Sequence, residues 1–139
     1  MKRVALTIPG QLPGLNEYIR TERANRHKAA KLKKKVEQDI GWLIKQQLSG
    51  IHIQDPVLMQ YLWWEPNRRR DKDNIAWAKK LIQDALVHAG TLEGDSWRHI
   101  VGFTDDFAVD QKNPRVEITI VKAKEVITCE YCGQAFIRE

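Results

Sequence analysis

Residues 57–64 read Val-Leu-Met-Gln-Tyr-Leu-Trp-Trp, an eight-residue run that is apolar on both faces. Such a run is too short for a buried helix. It has the length and the two-sided character of a central strand, flanked by partners along both edges. Pro56 marks its start within a wider extended stretch at 51–64, and Pro66-Asn67 breaks it. The rest of the chain must therefore supply a sheet. Val4, Leu6 and Ile8 alternate in a first strand, and Val116, Ile118 and Ile120 alternate at 115–122. Residues 97–106 make a further strand, with Ile100, Val101 and Phe103 as buried candidates. Two stretches have helical spacing instead. One is 22–48, with a stripe from Ala29 through Leu32, Val36, Ile40 and Ile44 to Leu48; the other is 75–90, with Ile75, Ala78, Ile82, Ala85 and Leu86 on one side. Gly50 and Gly90 stand where these helices end. Strands interleaved with helices point to one small α/β domain, and 139 residues suffice for its core.

Directly after the central strand comes Arg68-Arg69-Arg70-Asp71-Lys72-Asp73-Asn74, at the start of the second helix. Ligands of open α/β sheets commonly bind where a strand hands over to a helix. Three arginines attract anions, and two carboxylates one residue apart repel them. A divalent cation held between carboxylate and phosphate reconciles the two. Asp71, Asp73 and Asp95 are the candidate metal-binding acids. Mg²⁺ or Mn²⁺ on hard oxygens would neutralise a phosphodiester and activate water. The structural alternative makes Asp73 an N-cap, pairs Asp71 with an arginine and leaves Asp95 as a turn residue. On a continuous helix Lys80 falls within roughly 40° of Asp73, placed to stabilise charge at the phosphate. Its alternative is an ion pair with Asp84. Arg68, Arg69, Arg70 and Lys72 are candidates for gripping flanking phosphates, against a solvated loop. Trp63 and Trp64 read as core. Trp97 reads either as packing or as a stacking platform for an exposed base.

Charge is concentrated. Residues 20–35 hold eight basic side chains, Lys31, Lys33, Lys34 and Lys35 among them, and one acid. That is +7 in a chain whose total is +5, so a polyanion such as DNA is the expected partner. No apolar run approaches the roughly 18 residues of a membrane span, and the short basic-apolar start lacks a cleavage site. A cytoplasmic location without membrane contact is the expectation.

Both cysteines, Cys129 and Cys132, form a Cys-x-x-Cys followed by Gly133 and Phe136. This is half of a zinc knuckle, and zinc takes four ligands. Either two chains share a Zn²⁺, or the segment is a reduced tail. None of His27, His52, His88 and His99 has a supporting spacing.

The ordered set Arg-Arg-Asp-x-Asp-Asn, then Lys80, Asp84-Ala85-Leu86, Gly90 and Asp95, resembles the RusA family of Holliday junction resolvases, especially its phage and prophage members. Leu12-Pro13-Gly14-Leu15-Asn16, with Tyr18, resembles that family's N-terminal Asn-x-x-Tyr segment, and the likeness spans about residues 4–122. The resemblance implies a homodimer with a mixed β-sheet and two main helices, an endonuclease domain at 1–122 and a tail at 123–139. It implies a Mg²⁺-dependent endodeoxyribonuclease that resolves four-way junctions in recombination and repair. Asp71, Asp73 and Asp95 match its metal-binding acids and Lys80 its catalytic lysine. The segment between Asp73 and Lys80 is about three residues longer than in the shorter resolvase form, which keeps Lys79 as a rival. The family's Asp-Asp pair is here Gly94-Asp95. The competing expectation is a branched-DNA-binding protein without catalysis.

Overall fold

The structure, a computed structural model, describes residues 3–123 and 126–137, without the side chains of 126–128 and 135–137. Of the tail expected at 123–139, residues 124, 125, 138 and 139 lie outside the described residues, as does the side chain of Phe136.

Four strands form one sheet in the order β1-β4-β2-β3 (β1 Arg3–Pro9, β2 Val57–Glu65, β3 Ile100–Val109, β4 Arg115–Lys122). β2 is central, as its apolar run requires. It pairs antiparallel with β4 and parallel with β3, and β4 pairs antiparallel with β1. The sheet is therefore mixed, and the β2-to-β3 connection is a crossover carrying two helices. Val57, Met59, Tyr61 and Trp63 of β2 point to one face, beside Leu6 and Ile8 of β1 and Ile118 and Ile120 of β4. Ile40, Ile44 and Leu48, and Leu81, Ile82 and Leu86 from the crossover, complete this core. The opposite face of β2 is only half-buried at Leu62 and Trp64, so the strand is less evenly buried than its composition suggests. Trp64 is covered instead by the Arg115 guanidinium, 4.5 Å from its ring.

Both expected helices arrive in two pieces. The helix expected at 22–48 breaks at Asn25, and helical structure also begins earlier than expected, giving α1 (Leu15–Ala24) and α2 (Arg26–Gln47). Asn25 is extended, and its side chain accepts from the amides of His27 and Lys28, which starts α2 afresh. The second divides into α3 (Lys72–Ala76) and α4 (Lys79–His88). Between them the amides of Ala78, Lys80 and Leu81 bond three residues back, so the turn tightens at Trp77-Ala78. Trp77 stacks on Tyr18 of α1, ring centroids 5.0 Å apart. The final strand of the crossover runs three residues past the expected 97–106. Phe103 is exposed, because β3 is an edge strand.

Residues 126–137 form a separate two-stranded hairpin, β5 (Val126–Thr128) with β6 (Ala135–Ile137). Among the described residues no helix is long and apolar enough to cross a membrane.

Candidate active site

The central strand ends on Glu65, a carboxylate only 7% exposed. A buried carboxylate needs partners. Arg70 supplies a two-pronged one, Nε to Oε1 and Nη2 to Oε2, both 2.9 Å, and Gln11 Nε2 donates to Oε1 at 2.9 Å. The third edge of the Arg70 guanidinium reaches the Leu12 carbonyl at 3.0 Å. Arg70 thus braces the corner between the end of β2 and the N-terminal segment. Arg68 and Arg69 are exposed, as is Lys72, whose ammonium sits 5.7 Å from the Phe107 ring. The turn itself is set by Asn67, whose side chain accepts from the Arg69 amide at 3.0 Å.

Asp71 occupies the N-cap position of α3, with extended backbone, and makes no side-chain cap bond. Asp73 is not the cap. It lies in the first turn, and its Oδ1 accepts from the Asn74 amide at 2.9 Å. Both aspartates are exposed. Among the described residues neither forms an ion pair, so the pairing of Asp71 with a neighbouring arginine does not occur there. They line an open groove of about 570 Å³, with Arg68 and Arg70 beside them and Phe107 to Val109 of β3 forming the far wall. Asp71 also borders a second groove, which opens toward Arg20, Arg69 and Asn16.

Asn74 fixes the corner against the N-terminal segment. It is buried, and its Oδ1 accepts from the Asn16 amide at 2.8 Å. Gly14 is required at this contact, since a Cβ there would lie 2.6 Å from the same oxygen. The Pro-Gly-Leu-Asn segment and the Asp-x-Asp-Asn segment are therefore one structural unit, joined through Asn74 and Arg70.

Lys79 and Lys80 point to different places. Lys79 turns onto the sheet, 12% exposed, where Nζ meets Asp105 Oδ2 at 2.5 Å and lies 3.7 Å from the Phe103 ring centroid. Asp105 Oδ1 also accepts from Trp63 Nε1 at 2.8 Å. Lys80 stays on the surface, 3.0 Å from Asp84 and 3.9 Å from Asp95. Asp84 holds its ammonium above the ordinary value through this hydrogen bond and its charge, with Asp95 adding to the effect. The break at Trp77-Ala78 means the angle counted along a continuous helix no longer relates Lys80 to Asp73. Lys80 and Asp95 are instead brought together by the loop after α4.

Gly94 has its own explanation. A Cβ there would stand 2.8 Å from Cε1 and Nδ1 of His99, whose Nδ1 bonds Ser96 Oγ at 2.7 Å. The imidazole fills the place a side chain would take. Trp97 projects from the same loop, 88% exposed, so it does not pack.

The donor chemistry fits a hard divalent cation. Mg²⁺ is commonly held by one or two carboxylates, the rest of its shell being water and substrate phosphate. Asp71 and Asp73 offer two such groups beside a groove that can admit a phosphate. Among the described residues, no three metal-ligating side chains gather at one point, and Asp95 lies with Lys80. Of the basic stripe, Lys31, Lys34 and Lys35 are exposed and Lys33 half-buried on α2, with Lys35 paired to Asp39.

Glu65, Gln11, Asn74 and the Lys79–Asp105 pair carry structure around the site that residue patterns alone did not assign. One signal was present: a lone glutamate closing an apolar strand. Cys129 and Cys132 are both free thiols in the hairpin loop. Amide hydrogen bonds from Cys132 and Tyr131 hold the Cys129 thiol below its ordinary value.

A search of curated proteins finds no match to the chain. A model of the family described as endodeoxyribonuclease RusA matches residues 9–121. That span holds the braced corner, the lysine-bearing helix and the Asp95 loop, and stops short of the cysteine hairpin. Four-fifths of the sequence, including every element that shapes the groove, thus places this chain in the RusA endodeoxyribonuclease family.

Proposed function

We propose that this chain is a divalent-metal-dependent endonuclease that resolves four-way DNA junctions in recombination and repair, acting as a homodimer with one site per subunit. Family membership implies the endodeoxyribonuclease and junction-resolving activity. The observation that carries the finer reading is the pair Asp71 and Asp73, exposed and free of ion pairs among the described residues, in a groove beside Arg68. Asp71 and Asp73 would hold Mg²⁺ or Mn²⁺, with Asp95 as the third acid carried over from the family resemblance. When bound, such a cation lowers the pKa of water and offsets phosphate charge. Lys80 keeps its proton beside Asp95 and places positive charge next to the scissile region. Arg68, Arg69 and Lys72 take flanking phosphates, and the basic face of α1 and α2 attracts the junction arms. Glu65 and Arg70 keep the corner rigid, so the carboxylates meet the phosphate without reorganising.

The test is cleavage of a synthetic four-way junction by the purified protein in EDTA, Mg²⁺ and Mn²⁺. Cutting only with metal, and loss of cutting with retained binding in Asp71→Asn, supports the enzyme. Binding without cutting in any metal leaves a branched-DNA-binding protein, the reading favoured by the glycine at position 94.

A further inference from the structure

The hairpin that follows the endonuclease domain presents its two cysteines in a shape the nuclease reading does not use. Cys129 closes β5, and the loop from Cys129 to Gln134 folds back on itself. Its ends are tied by Cys129 N to Gln134 O at 2.9 Å and by Gly133 N to Cys129 O at 2.8 Å. Gly133 makes the return possible at φ +74°, a conformation that favours glycine. Hydrogen bonding from the amides of Cys132 and Tyr131 and from the Cys132 thiol lowers the pKa of the Cys129 thiol from its ordinary value. Both cysteines lie within this one tight turn and are unlinked.

Amide groups aimed at a sulfur are the outer-shell support that a metal-bound thiolate accepts. A redox role fits less well. Thiol-oxidoreductase Cys-x-x-Cys pairs are activated at helix N-termini, and this pair sits in a β-hairpin loop. Tetrahedral zinc needs four ligands, and among the described residues no third ligating side chain joins the two cysteines. Tyr131, at the tip between them, is 99% exposed, an aromatic surface with nothing against it among the described residues.

We propose that Cys129 and Cys132 form half of a structural zinc site, completed by the same two cysteines of a second copy of this chain. Four thiols would lose their protons as one Zn²⁺ binds, and the four thiolates would give it a closed Cys₄ ligand set. The site would tie two C-terminal hairpins together independently of the nuclease groove.

The full-length protein, reduced with a phosphine and stripped of metal, is titrated with Co²⁺, whose tetrahedral thiolate complexes absorb distinctively. The expected end point is about one metal per two chains, with Zn²⁺ displacing the colour. Native mass spectrometry of the zinc form is expected to show one metal in a dimer. Cys129→Ser and Cys132→Ser should each abolish uptake while circular dichroism of the α/β domain is unchanged. An end point of one metal per chain, no tetrahedral thiolate spectrum, or unchanged uptake by both serine variants would overturn the proposal. None of these readouts depends on DNA cleavage, so failure here and failure of the nuclease reading are separable.

Discussion

Arg70 holds Glu65 by a parallel pair of hydrogen bonds, each 2.9 Å, across the turn that leads from β2 into α3. The pair is mostly shielded from water, and the same guanidinium is tied to the Leu12 carbonyl. Removing the arginine strands a buried carboxylate. Arg70→Ala is expected to lower unfolding free energy by about 3 kcal/mol. Arg70→Lys should recover only part of this, since an ammonium cannot make the planar two-point contact. Chemical denaturation of the three proteins checks both statements. A loss confined to DNA affinity, with stability unchanged, would return Arg70 to the phosphate-binding set.

The corner also shows what the sequence made legible. The central strand, the alternating strands near each end of the domain and the position of the Asp-x-Asp pair follow from apolar periodicity and from Pro66-Asn67, whereas the strand order and orientations do not. The divisions at Asn25 and at Trp77-Ala78 were less visible. Apolar spacing continues through both, while the deciding terms are one side-chain cap and a tightened turn that seats Trp77 on Tyr18. Arg68, Arg69 and Arg70 look alike in sequence. Only the buried Glu65, brought near by the turn, separates the brace from its exposed neighbours. Asp95 and Lys80 are candidates from residue type and helical angle, and the resemblance matches them to the family's acid and lysine. Their closeness to each other comes from the loop after α4, which no periodicity encodes.

Asp71 and Asp73 differ in how much of each carboxylate is free. Asp73 gives Oδ1 to the Asn74 amide, whereas Asp71 makes no cap bond. Asp71→Asn should therefore leave stability within about 0.5 kcal/mol of the parent. It should also remove the rise in Tm that Mg²⁺ produces by binding the folded state. Thermal unfolding at increasing Mg²⁺ measures this without DNA. A Tm response equal to that of the parent would show that the cation binds elsewhere.

Lys80 keeps its proton more firmly than an isolated lysine, because Asp84 bonds and faces it and Asp95 lies near. A raised folded-state value means that its contribution to stability is fully present below the ordinary 10.5. That contribution is lost as pH rises through the folded value. Across neutral pH the ammonium should stay charged. Asp84→Asn removes the largest cause, so the lysine should titrate at lower pH. Following the Lys80 side-chain carbon signals by NMR between pH 9 and 12 reads the shift directly, and an unchanged midpoint would contradict the pairing.

Gly94 and His99 are coupled by space rather than by a bond. Any side chain at 94 meets the imidazole at 2.8 Å, and His99 cannot retreat freely. Its carbonyl accepts from Val57 at the start of the central strand, and its Nδ1 is engaged by Ser96. Gly94→Asp, which restores the second acid of the family pattern, is therefore expected to rotate the ring away and break the Ser96 contact. The penalty should be about 1–3 kcal/mol. Removing the ring first changes the outcome: in a His99→Ala background the same aspartate has room, and most of the penalty should vanish. A double-mutant cycle by denaturation isolates this coupling, expected to exceed about 1 kcal/mol. Additive effects would mean the ring yields without resistance, and the glycine would then need a different explanation, in the chemistry of the site rather than in its packing.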